Sequence, residues 1–198
     1  MSLTNLSKLL AFSILLRVSV QLPNGAPISA CQSMMPVHQG ISPQPNPAPY
    51  IFKTSSSSYQ SGKPITVQII GPAYRGLLLE ARTFQQTDLL GKWLQPPNNT
   101  KILPCPENPN GAITHSNTNL KTQSTMYTWM PPDSNCPGVI FFVATVAEAY
   151  DVYWLGVQSA VLWKDAAATC GASGISWREA LYTIMFLHMG MFLMFHFN

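Results

Sequence analysis

The stretch Gly71-Pro72-Ala73-Tyr74-Arg75-Gly76-Leu77-Leu78-Leu79-Glu80-Ala81-Arg82 decides the fold. Gly71-Pro72 is turn punctuation, and Gly76 stands just before an extended run. From Leu77 onward the residues alternate. Leu77, Leu79 and Ala81 share one side, and Leu78, Glu80 and Arg82 the other. A period of two belongs to a half-buried strand and not to a helix. Just upstream, Pro64-Ile65-Thr66-Val67-Gln68-Ile69-Ile70 is a second extended run, rich in β-branched residues. The two runs are expected to pair as an antiparallel hairpin.

Working outward, Tyr50-Ile51-Phe52 is a short strand candidate, and Ser55 to Ser58 a polar turn. Ser124 to Trp129 is β-prone and stops at Pro131-Pro132. Gly138 to Glu148 is apolar on both faces, which suits a central strand. Val152 to Val157 is its expected hairpin partner, with the turn near Ala149-Tyr150-Asp151. Pro43, Pro45, Pro47 and Pro49 give the segment from Pro23 to Pro49 an extended, polyproline-like path without a packed element. Thr87 to Asn110 carries Pro96, Pro97, Pro104, Pro106 and Pro109, and is expected to be loop-rich. About seven short strands between Pro- and Gly-rich turns make an all-β chain, an immunoglobulin-like antiparallel sandwich.

Composition narrows the function. Charged residues make up 10% of the chain, against about 25% in an average soluble protein. The net charge of +3 is spread thinly, so no nucleic-acid partner is expected. Residues 1–20 read as a signal peptide, with Lys8 ahead of the apolar run Leu9 to Leu16. A domain at 21–165 and a small-residue linker at 166–180 lead to an apolar segment at 181–197. For that segment we expect membrane association. A single spanning helix, a glycolipid attachment signal, a truncated or alternatively spliced end and a buried helix all stay open. Its His188 and His196 stand about 12 Å apart along a helix and do not clasp one iron from both sides.

No Gly-x-Ser-x-Gly elbow, phosphate loop or Cys-x-x-Cys pair occurs, and no catalytic residue, metal or cofactor is expected. His38 and His115 are the histidines of the globular part, and a metal site would need them to meet a carboxylate such as Glu80 or Glu107. Their spacing gives no sign of it, so ordinary hydrogen-bonded histidines are expected. Glu80 and Arg82, two apart on one strand face, are expected on a solvated, salt-bridged surface. Trp129, Tyr153 and Trp154 are expected in the core or at its rim. Asn98-Asn99-Thr100 is a glycosylation sequon beside two prolines. Cys31, Cys105, Cys136 and Cys170 behind a signal peptide imply disulfides, with three connectivities open.

The string Tyr74 to Arg82 also resembles the reeler family found in reelin, F-spondin, insect defence proteins and ferric-chelate-reductase-like membrane proteins. Pro23-Asn24-Gly25-Ala26 before Cys31, Met35-Pro36-Val37-His38, Thr114-His115-Ser116, Val143 to Val146 and Tyr153-Trp154 agree with it. The resemblance runs from Pro23 to Trp163. It implies the pairs Cys31–Cys105 and Cys136–Cys170. The signal, the four cysteines, the strand pattern and the lack of a catalytic constellation lead us to expect a non-enzymatic extracellular domain of this kind at the membrane, binding an unknown extracellular protein or ligand. A secreted defence factor and an accessory part of a haem-containing ferric reductase are the alternatives the resemblance suggests.

Overall fold

A computed structural model describes residues 23–38, 40–168 and 170. The signal expected at 1–20 and the apolar segment at 181–197 lie outside them. Among the described residues no helix is long and apolar enough to cross a membrane.

In chain order the elements are a short helix α1 (Ala30–Ser33), then β1 (Ile51–Thr54), β2 (Ser58–Tyr59), β3 (Ile65–Ile70), β4 (Gly76–Arg82) and β5 (Lys92–Trp93). They continue with β6 (Thr100–Cys105), β7 (Asn108–His115), β8 (Tyr127–Met130), β9 (Val139–Ala149), β10 (Val152–Gln158) and β11 (Leu162–Lys164). A smaller sheet has the order β1-β3-β8-β5. A larger one runs β2-β11-β9-β4-β7-β6, with β10 also paired to β9. All pairs are antiparallel except β2 with β11, which is parallel.

The expected hairpin between β3 and β4 does not form. β3 pairs with β1 and β8, while β4 pairs with β7 and β9 in the other sheet. Alternation reports which face of a strand is buried; it does not name the neighbour. Val67 and Ile69 of β3 and Leu77, Leu79 and Ala81 of β4 face the same core from opposite sheets. The chain changes sheet at Gly71, where an added Cβ would lie 2.5 Å from the Pro49 carbonyl oxygen. Between the sheets, Trp129 packs edge-on against Phe142 with ring centroids 5.2 Å apart, and the Tyr74 and Tyr127 hydroxyls share a buried hydrogen bond of 2.8 Å.

The proline-rich stretch from Thr87 to Asn110 holds more structure than its composition suggests. It contributes β5, β6 and the start of β7. β6 is the edge strand of its sheet, and Pro104 sits where the β6–β7 register shifts. An edge and a bulge are the places where a strand accepts a residue without an N–H. Likewise Ser58, expected in a turn, opens β2. Val139 to Ala149 is central as expected, flanked by β4 on one side and by β10 and β11 on the other.

The larger sheet is buried on its outer face as well. Leu78, Leu103, Ala112, Phe141 and Val143 of that face pack under Ala30, Cys31 and Met34. The segment from Pro23 onward is therefore a packed third layer at α1, not a polyproline arm throughout. The helix is short because it ends at Met34, which turns left-handed at φ +56°.

Candidate functional site

Three kinds of contact pin the N-terminal layer to the sheet. The Cys31–Cys105 disulfide ties α1 to the end of β6. The Ala26 amide donates to Thr114 Oγ1 at 2.8 Å, and Thr145 Oγ1 donates to the Met34 carbonyl at 2.6 Å. Arg82 Nη2 donates to the carbonyls of Cys31 and Gln32 at 2.9 and 3.0 Å. Further along, the His38 ring lies 4.4 Å from that of Tyr150 and edge-on to Tyr153.

Glu80 and Arg82 are therefore not on a solvated face. Glu80 is fully buried, and Arg82 reaches it with Nη2 at 2.6 Å from Oε2. Its second oxygen, Oε1, is buried without a hydrogen-bond partner. Burial pushes the Glu80 carboxyl up to about 7, and the Arg82 charge only partly opposes this. A strand position that alternation assigns to water is covered here because α1 lies on it. Glu107 is elsewhere, accepting from Gln32 Nε2 at 3.2 Å.

Between the layer and the sheet lies a cavity of about 130 Å³. Its apolar walls include Met34, Met35, Val37, Leu77, Leu78 and Ala147. His38, His115 and Arg75 also line it. The two histidines, which spacing alone does not connect, thus reach one place. β4 and β7 are neighbours, so the Leu77 amide donates to His115 Nδ1 at 3.2 Å. His38 arrives on the covering segment, and its Nδ1 is buried without a hydrogen-bond partner. Burial lowers the His38 pKa, with a backbone hydrogen bond at Tyr150 opposing. Met34 carries its left-handed backbone at the cavity wall, a conformation that non-glycine residues adopt at a cost and that local contacts must hold. Among the described residues, no three His, Cys, Asp or Glu side chains gather as a metal site would need. At its edge Thr114 Oγ1 stands 3.4 Å from His115 Nδ1 and donates to the Leu77 carbonyl at 2.8 Å.

Sequence reasoning did not find this cavity. The signal was there in part: Met34-Met35-Pro36-Val37 is an apolar run that belongs to none of the strand candidates. Lys121 was also missed. It is buried, and its Nζ donates to the carbonyls of Arg75, Asn117 and Asn119 at 2.7, 3.1 and 2.9 Å, fixing the loop beside the cavity.

The remaining sites have clear positions. Cys136 is joined to Cys170 beside the Ser61 hydroxyl, at the other end of the sandwich. Asn98 is exposed in the turn before β6, next to Asn99 at φ +67°. Trp129, Tyr153 and Trp154 are all buried.

Comparison with known proteins adds the lineage. A family model described as the Reeler domain matches residues 29–169. The proposed defence protein 3 of Antheraea mylitta is 39% identical over 142 residues, covering 70% of this chain and 83% of that protein. Ferric-chelate reductase 1 of Bos taurus is 33% identical over 157 residues, covering 77% of this chain and 26% of that protein. A crystal structure of the human F-spondin reeler domain superposes with a TM-score of 0.50 at 16% identity, over 68% of this chain and 99% of that one. At that identity the likeness concerns the fold alone.

Proposed function

This chain belongs to the reeler domain family, and we propose that it serves as a non-enzymatic extracellular domain that works by binding. The observation that carries this is the cavity held open between sheet and N-terminal layer, with a disulfide across its cover. Two disulfides and no free cysteine among the described residues fit folding in an oxidising compartment. The signal read at 1–20 points the same way, and the apolar run at 181–197 supports retention at the membrane. The bovine reductase shares about a quarter of its length with this chain, and that shared stretch is its reeler part, so its redox chemistry does not transfer.

The test is expression of the full chain in a secretory cell line, with fractionation and peptide mapping without reductant. The expected result is protein at the cell surface or in the medium with Cys31–Cys105 and Cys136–Cys170 intact. Folded protein in the cytosol with reduced thiols overturns the reading.

The moth relative favours a second reading, a secreted defence factor. That reading expects the protein in the medium and bound to intact microbial cells after washing. Retention of all protein in the membrane fraction, with no microbial binding, removes it.

A further inference from the structure

The cavity's chemistry is lopsided. Its walls are mostly apolar, yet Arg75, His38 and His115 stand along them and no carboxylate does. Arg75 is exposed, and one of its nitrogens, Nη1, donates to the Thr118 carbonyl at 2.9 Å. Among the described residues no carboxylate forms a salt bridge with it. Its remaining donors can therefore meet an anion bidentately, as a guanidinium does best. The acids nearest in sequence do not intrude. Ala147 and Ala149 of β9 line the cavity, and Glu148 between them is exposed and does not. The interior volume is on the scale of an apolar cavity that takes up one benzene ring. His38 Nδ1 adds a buried polar atom that no protein group satisfies.

We propose that this cavity binds a small amphipathic acid, a medium-length alkyl chain or single ring bearing one carboxylate. The apolar part sits against Met34, Leu78 and Ala147, and the carboxylate meets Arg75. The proposal deepens the reading of the chain as a binding domain and rests on it.

The probes are octanoate and octanol, the same chain with and without the charge. Binding is measured by titration calorimetry on the full chain purified from the secretory host. Octanoate is expected to bind one per chain, and octanol about tenfold more weakly, the scale of one charge-assisted hydrogen-bonded contact. Arg75→Met should weaken octanoate by a similar factor and leave octanol unchanged. Ala149→Phe, which fills the cavity, should abolish both. Disulfide mapping and circular dichroism on each variant establish that it folds. The octanoate–octanol comparison needs no variant at all. Equal affinity for the two probes, no binding of either, or octanoate binding untouched by Arg75→Met or by folded Ala149→Phe overturns the proposal. Protein that is secreted with both disulfides but ignores octanoate sinks this proposal alone. Protein that folds reduced in the cytosol sinks the binding-domain reading beneath it.

Discussion

Replacing Glu80 by glutamine should flatten part of the protein's pH dependence, and the sign follows from where the carboxyl sits. In the folded chain burial raises it from 4.5 to about 7. Between those values the native state holds a proton that the unfolded state releases. The native state is therefore favoured at the acid end, and the stability declines as the pH rises through the window. One pH unit of displacement corresponds to about 1.4 kcal/mol, so the whole displacement is worth about 3 kcal/mol. The glutamine side chain keeps the shape and cannot titrate. His38 works in the opposite sense, because its lowered value makes the native state reluctant to protonate below 6.5. The quantity to measure is therefore the difference between wild type and Glu80→Gln, in which His38 cancels. Urea unfolding at about pH 5, 6 and 7 gives it. Across that range wild type should lose about 2 kcal/mol relative to the variant, the rest of the displacement falling outside it. A difference that is flat with pH, or that grows in favour of wild type as the pH rises, refutes the claim that desolvation outweighs Arg82 at this site.

Three further outcomes are expected. Opening the Cys31–Cys105 link with Cys31→Ser plus Cys105→Ser frees a loop of separation 74 and should cost about 4 kcal/mol by chain entropy, read as a lower urea midpoint. Lys121→Met leaves three carbonyls without their ammonium donor and should cost about 3 kcal/mol, with hydrogen exchange rising first in residues 117–121. Asn98→Gln should remove a glycosidase-sensitive mass from the secreted protein and leave its thermal midpoint within about 2 °C, since the side chain is exposed; an unchanged mass counts against the sequon.

Strands whose identity rests on local chemistry were legible in the sequence. β3, β4, β9 and β10 announce themselves through alternation and β-branched or aromatic residues, and they stand where that pattern puts them. Features that depend on partners were not. β6 and β7 carry Pro104 and Pro109, and only the place of β6 at a sheet edge, with a register shift, makes the first of these acceptable. The pairing of β3 with β4 fails because two strands feeding one core can belong to either sheet. Glu80 reads as a surface charge until α1 is laid over it, and α1 is a single turn that no helical periodicity reveals. The cavity is further still from the sequence. It needs His38 from the covering layer, His115 from the end of β7 and Arg75 from the turn just before β4, and only the assembled layers bring them together.

The two ends of β9 give the domain a polarity. The strand begins beside β11, near the Cys136–Cys170 bridge, and finishes at Ala147 and Ala149 on the cavity wall. Its 11 extended residues span about 35 Å. Any tether that continues from Cys170 thus grips the sandwich at its base. The cavity wall at Ala147 and Ala149 stands at the opposite end of that strand.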